Sequence, residues 1–322
     1  MTAVLVRGLR KQYSDIEAVA GIDLDVEAGE VFGFLGPNGA GKSTTIKILC
    51  TLANPTAGEA KVAGFDVVRE RDEVRRHIGL VFQDTTLDDY LTAEMNLRFH
   101  AELYGIPRAQ VAARLEQVMN MVGLWDRRAS LVQTFSGGMK RRLEIARGLM
   151  HSPRVLFLDE PTVGLDPQTR ASMWQYITEL KTREQITIFL TTHYMDEAEY
   201  CDRIAIIDNG KIVALDTPAR LKAKLGKDRV AITTADDDAA LTRLRDQFAV
   251  EPSKHEGHVV FFVANGEQFV PRLFAELGIG IRSVSVARPS LDDVFLAHTG
   301  RTIRDREAAE DPMARIKRAA RR

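Results

Sequence analysis

The segment Gly36-Pro37-Asn38-Gly39-Ala40-Gly41-Lys42-Ser43-Thr44 decides much of what this chain can become. It follows the apolar run Val31-Phe32-Gly33-Phe34-Leu35 and precedes Thr45-Ile46-Lys47-Ile48-Leu49, so it reads as strand, glycine loop, helix. In that setting the spacing G-x-x-x-x-G-K-[ST] predicts a phosphate cradle. Gly36, Gly39 and Gly41 let the backbone turn sharply and aim its amides inward. The helix opening near Lys42 points its positive end at the same place. Lys42 adds a point charge for β- and γ-phosphates, and the Ser43 hydroxyl suits Mg²⁺. A glycine-rich turn ahead of an ordinary helix is the plain alternative. The flanking strand and helix favour a nucleoside triphosphate site.

The 322 residues accommodate one large domain and a smaller one. Lys+Arg (44) and Asp+Glu (45) nearly cancel, which gives no basis for bulk nucleic-acid binding. Cys50 and Cys201 have no CxxC spacing and fit small buried residues in a reducing compartment. No apolar run approaches the ~20 residues of a membrane span, and Met-Thr-Ala-Val-Leu-Val-Arg lacks the apolar core of a signal peptide. A cytosolic chain is expected, with any membrane role supplied by a partner.

Residues 2–6 and 22–26 read as strands, with Tyr13 in a loop between them. That tyrosine is placed either to stack on an adenine ring or to sit exposed. Ile78-Gly79-Leu80-Val81-Phe82 is a buried strand ending at Gln83, where a parallel sheet faces its ligand. From about 88 to 150 strand text gives way to helical spacing over Thr92–Tyr104, Pro107–Val122 and Gly137–Met150. Ser136 suits an N-cap, and Gly137 and Gly138 bare the amides behind it. That start could serve an anion or simply cap a helix.

Three further apolar runs, 155–158, 186–190 and 204–207, are continuous rather than alternating, as in a parallel sheet covered on both faces. The first ends in Asp159-Glu160, where one carboxylate can hold a metal and the other orient water. Asp166-Pro167 reads as N-cap and first helical position. His193 ends the second run, at the same sheet edge as Gln83 and Asp159. Residues 226–300 then alternate strand and helix as a small α+β domain. Ser290 to Asp293 forms a capping box, behind which Leu291, Val294 and Phe295 share a helix face. That face docks either on the domain's own sheet or on another subunit. Residues 301–322 form a tail that ends strongly basic.

The order of these features resembles an ABC-type ATPase over about residues 1–220. The resemblance implies a P-loop α/β domain with a helical subdomain, ATP and Mg²⁺ as cofactors, and roles for matched residues. Gly36 to Thr44 (with Pro37, Asn38 and Ala40) correspond to the Walker A loop, and Tyr13 to the adenine-stacking aromatic. Asp159 corresponds to the Mg²⁺-holding aspartate alongside Ser43, and Glu160 to the general base. Gln83 corresponds to the residue touching Mg²⁺ and water, and His193 to the switch histidine on the γ-phosphate. Ser136, Gly137, Gly138 and Asp166 correspond to residues that engage a second copy across the ATP sites. The signature departs from its common form at Phe135 and Met139, and Met95 stands where relatives often carry an acid.

The Ser-Gly-Gly-Met signature and the ending Arg288-Pro289-Ser290-Leu291-Asp292-Asp293-Val294-Phe295-Leu296-Ala297 resemble the daunorubicin-resistance group of ABC-2-type exporter ATPases. That likeness implies an ABC-2-type membrane permease subunit as partner, a peripheral place on the inner face of the membrane, and outward movement of a hydrophobic drug, antibiotic or lipid. The competing reading is a soluble ABC ATPase acting on ribosome or DNA. The single phosphate loop and the lack of a long coiled-coil or zinc insertion speak against it.

Overall fold

The continuous apolar runs become the middle of a parallel sheet. A computed structural model describes residues 1–255 and 257–300, and the chain divides into two units, Met1–Pro218 and a second from Ala219 on. The first unit opens with β1 (Thr2–Tyr13), β2 (Ile16–Glu27) and β3 (Val31–Leu35), followed by α1 (Lys42–Leu49). Next come β4 (Ala57–Val62), β5 (Phe65–Asp66), α2 (Arg71–His77) and β6 (Ile78–Val81). The helical segment holds α3 (Ala93–Leu103), α4 (Arg108–Met121) and α5 (Gly137–Leu149). The unit then returns through β7 (Val155–Asp159), α6 (Pro167–Glu184), β8 (Thr187–Thr192), α7 (Met195–Ala198), β9 (Arg203–Asp208) and β10 (Lys211–Asp216).

The six-stranded sheet has the order β10-β9-β3-β8-β7-β6. All its pairings are parallel except that of the edge strand β10. Every residue of β3, β7 and β8 is buried, as continuous apolar text requires of strands covered on both faces. Phe32, Phe34 and Phe157 each pack against Phe189 with ring centroids 5.4–5.7 Å apart. A second, antiparallel sheet runs β2-β1-β4-β5. Val4, Val6, Ile22 and Leu24 from it share one apolar core with Phe32 and Phe34 of β3 and Ile46 and Ile48 of α1.

Three local expectations are corrected. Tyr13 does not lie in a loop: β1 runs up to it and β2 starts at Ile16, so only Ser14 and Asp15 form the turn, Ser14 with φ 47°. Arg10 and Gln12 are exposed and Lys11 partly so, because this end of the hairpin lies at the surface. Pro107, read above as the first residue of the helical stretch 107–122 and suited to a first helical turn, is instead the N-cap of α4. Ser136 and Asp166 are the N-caps expected of them, and Thr92, read as the first residue of a helix, is the N-cap of α3. Thr92 accepts from the Met95 amide at 3.1 Å, Ser136 from Met139 at 3.3 Å and Asp166 from Thr169 at 3.0 Å.

The second unit contains α8 (Pro218–Leu225, all but its first residue), β11 (Asp228–Thr234), α9 (Asp237–Phe248), β12 (Ser253–His255), β13 (His258–Val263), α10 (Gly266–Glu276), β14 (Ile281–Ala287) and α11 (Leu291–Thr299). Its antiparallel sheet has the order β12-β13-β11-β14, and Val230, Ile232 and Phe261 pack against Leu244, Phe248, Leu273 and Leu277 of α9, α10 and the residue after it. The Ser290–Asp293 capping box is formed, and Asp293 also pairs with Arg229 at 3.2 Å. Leu291, Val294 and Phe295 are at most 1% exposed in the single chain, so no second subunit is needed to cover that face. The basic tail, residues 301–322, lies outside the described residues.

Candidate active site

Sheet register brings the chemistry to one edge. Leu35 pairs with Thr192, Asp159 with Thr191, and Leu158 with Val81, so β3, β8, β7 and β6 end level at their carboxyl ends. The phosphate loop leaves β3 there. Gly41 caps α1 with φ 108°, and a Cβ on it would lie 2.4 Å from the Ala18 carbonyl oxygen. No side chain fits that turn, so the loop lies directly against β2.

Lys42 is buried at the first turn of α1. Its Nζ donates to the carbonyls of Gly36 (2.7 Å) and Pro37 (3.1 Å) and pairs with Glu160 Oε1 at 3.1 Å. His193 Nδ1 stands 3.4 Å from the same oxygen. Burial disfavours the Glu160 charge, but the His193 ring and the Lys42 ammonium outweigh it and hold the carboxyl below the usual glutamate range. Glu160 has φ 47°, a conformation uncommon for a residue with a side chain. Its amide donates to Thr191 Oγ1 at 3.0 Å, and Thr191 Oγ1 donates to Asp159 Oδ1 at 2.6 Å. One threonine on β8 thereby ties the Asp159 carboxylate and the Glu160 backbone together at the end of β7.

Ser43 Oγ donates to Asp159 Oδ1 at 3.3 Å. Two hard oxygen donors this close to a phosphate cradle match the ligand chemistry of a magnesium ion. Gln83 is exposed and hydrogen-bonds to neither of them. It lines a cleft of about 200 Å³ with Gly137, Lys140, Pro161 and Gly164. Tyr13 is half-exposed at the hairpin tip with Lys11 Nζ 4.7 Å over its ring, on the hairpin whose strand β2 touches Gly41 at Ala18.

Ser136 and Gly137 face solvent at the start of α5 and share no hydrogen bond with the phosphate loop of their own chain. Gly138 is buried against α6, where a Cβ would meet Thr169 Cγ2 at 2.4 Å. Both Asp166 oxygens are taken by Thr169, through its amide and its hydroxyl at 2.5 Å, and these bonds lower the Asp166 pKa.

Sequence reasoning missed three supporting residues here besides Thr191: Thr192, Thr162 and Glu197. Thr192 donates to Glu197 at 2.6 Å, and Thr162 donates to the other Glu197 oxygen. Glu197 is buried and lies 3.7 Å from Arg170, joining the segments that carry His193, Glu160 and α6. The Thr191-Thr192 pair before His193 was the available signal: two adjacent hydroxyls at the end of a buried strand need buried partners.

Comparisons with known proteins show the family. A family model described as ABC transporter matches residues 19–163, and one described as ATP-binding protein DrrA1-3-like, C-terminal domain, matches residues 217–299. The chain is 41% identical over 321 residues to the daunorubicin/doxorubicin resistance ATP-binding protein DrrA of Streptomyces peucetius, covering 96% of this chain and 97% of that one. It is 39% identical over 306 residues to the linearmycin resistance ATP-binding protein LnrL of Bacillus subtilis, covering 92% and 98%. Among solved structures it is similar to cbiO1 of Clostridium perfringens, part of an ABC transporter complex, with TM-score 0.65, 26% identity and coverage of 77% and 96%. A dimeric ATP-binding cassette bound to ADP and Pi aligns with TM-score 0.60 and 27% identity over 66% of this chain and 98% of that one.

Proposed function

Since this chain belongs to the ATP-binding proteins of ABC transporters and hydrolyses ATP as one of them, we propose that it powers outward transport of a hydrophobic drug, antibiotic or lipid through a separate membrane subunit. The observation that carries this reading is the convergence of Lys42 Nζ (3.1 Å) and His193 Nδ1 (3.4 Å) on one Glu160 oxygen, beside Ser43 and Asp159. Phosphoryl transfer to water needs positioning and charge neutralisation more than covalent chemistry. Lys42 and the α1 amides hold the β- and γ-phosphates. Glu160 accepts a proton from the attacking water, and His193 contacts the γ-phosphate. Ser43 and Asp159 would hold Mg²⁺, which would offset phosphate charge. Tyr13 would stack on adenine, and Gln83 is the residue that would contact the metal and water.

The Ser136–Gly138 helix start completes the phosphate site of a second copy, and Asp166 lies in the loop between the two. The exposure of Ser136 and Gly137 in the single chain fits that role, because bare amides at a helix start favour an anion. The membrane partner is an ABC-2-type permease, which places the chain on the inner face of the membrane. Among the described residues no helix is long and apolar enough to cross a membrane, so attachment runs through that partner. Met95, Phe99 and Leu103 form a stripe along α3 and are 48%, 61% and 66% exposed. An apolar stripe spaced by four residues on a solvent face suits a helix of the permease.

Replacing Phe99 by Asp tests the attachment. ATP turnover of the purified chain should stay within about twofold, because an exposed side chain away from the site carries little stability. Recovery of the chain with native membranes should collapse. Unchanged membrane recovery with Phe99→Asp would remove α3 from the docking surface.

A further inference from the structure

Arg141 looks, in sequence, like one of several charges on the signature helix. In the structure it is 6% exposed. An arginine carries five N–H donors in a planar fork, and five acceptors surround this one. Nε donates to the Pro161 carbonyl at 2.7 Å. One terminal nitrogen donates to the Phe82 carbonyl and to Glu144 Oε2, the latter at 3.1 Å. The other donates to the carbonyls of Asp159 at 3.1 Å and Glu160 at 3.2 Å. Three consecutive carbonyls of the turn that presents Glu160 are thus held by one side chain of α5. The fourth carbonyl, Phe82, directly precedes Gln83.

Glu144 is 1% exposed and holds the far end of the same segment. Its Oε1 accepts from the Thr86 amide at 2.8 Å and from the Thr86 hydroxyl at 3.3 Å. Arg147, one turn on, donates to the Thr86 carbonyl at 2.9 Å. The backbones are equally close: a Cβ on Gly79 of β6 would lie 2.4 Å from the Gly148 carbonyl oxygen of α5. Residues 82–86, with Gln83 between the clamps, are therefore fastened to α5 at both ends. An apolar pair of similar volume would serve stability as well as this buried ion pair. What the pair adds is direction, since its donors and acceptors fix two loops at once.

We propose that Arg141 and Glu144 are a positioning pair for ATP hydrolysis, locking the Gln83 segment and the Glu160 turn to the signature helix. Any displacement of α5 then moves both loops together. The pair touches neither substrate nor metal. Its effect passes through Glu160, so the proposal rests on Glu160 as the group that polarises water, a reading that Glu160→Gln tests separately.

Two variants of the full chain test it. Arg141→Lys keeps the charge but offers a point charge with three donors in place of the five-donor fork. Arg141→Met/Glu144→Leu removes both charges, so neither is left buried alone. Small misplacements of reacting groups lower rates steeply, so kcat should fall about tenfold or more in each variant. KM for ATP should stay within about threefold, because the phosphate loop is untouched. Exchange of the Thr86 amide should quicken in the double variant. Wild-type kcat in either folded variant overturns the proposal, as does a KM that rises in step with the loss of kcat. If neither variant folds, the pair belongs to the core and not to catalysis, which also overturns it. Full activity of Glu160→Gln would fault the base assignment instead.

Discussion

Glu160→Gln lowers ATP turnover by roughly two or more orders of magnitude while leaving ATP binding intact, the usual scale for loss of a general base. The substitution keeps the shape and removes the charge. Glu160 is the carboxylate that Lys42 and His193 converge on, and its amide is fixed by Thr191. Binding is spared because the amides of α1 and Lys42 remain in place. With hydrolysis stopped, ATP accumulates between two copies, so the variant should elute as a dimer when ATP is present. The pH dependence follows from the same contacts. The Glu160 pKa is lowered, so its carboxylate persists as pH falls into the ordinary glutamate range, and base function is lost only below that. Steady-state turnover and gel filtration with ATP check both statements. Near-normal turnover would remove Glu160 from this role.

Phe295→Ala should cost about 3–5 kcal/mol of the second unit's stability, the range for deleting a fully buried phenylalanine. Phe295 is 0% exposed, with Leu291 and Val294 at 1% beside it and the Ser290–Asp293 box fixing the helix start. In a unit of this size each kcal/mol shifts the melting midpoint by roughly 4–8 °C. Calorimetry should therefore show a large drop in one transition. Near-wild-type melting together with weakened assembly would place the ring at a contact between subunits instead.

The residues announced the site more plainly than its supports. Continuous apolar runs identify β3, β7 and β8, because burial on both faces leaves no polar alternation, and the phosphate loop and Asp159-Glu160 fall at their ends. The upper half of the β1–β2 hairpin was not legible. Its Arg10, Lys11 and Gln12 face water and look like loop text until β4 is seen paired beside β1. β10 was missed because all but its exposed first residue are only partly buried and its pattern is weak. Arg141, Glu144 and Glu197 were hidden for a different reason. Charged residues on helices ordinarily mean a solvated face, and only packing shows that these three point inward. Gln83 was placed correctly in the chain, yet it stands apart from Ser43 and Asp159 because its segment is fastened to α5.

The central claim is that ATP is hydrolysed at a site shared by two copies, Lys42 of one and Ser136 of the other. The most direct measurement mixes Ser136→Arg chains with Lys42→Ala chains, each inactive alone. Random pairing makes half the dimers mixed, each with one intact site, so turnover should recover to about a quarter of wild type per chain. One ATP should be retained per mixed dimer, which registers the composite site even if turnover requires both. Turnover and ATP retention equal to the sum of the two inactive parents would contradict the account.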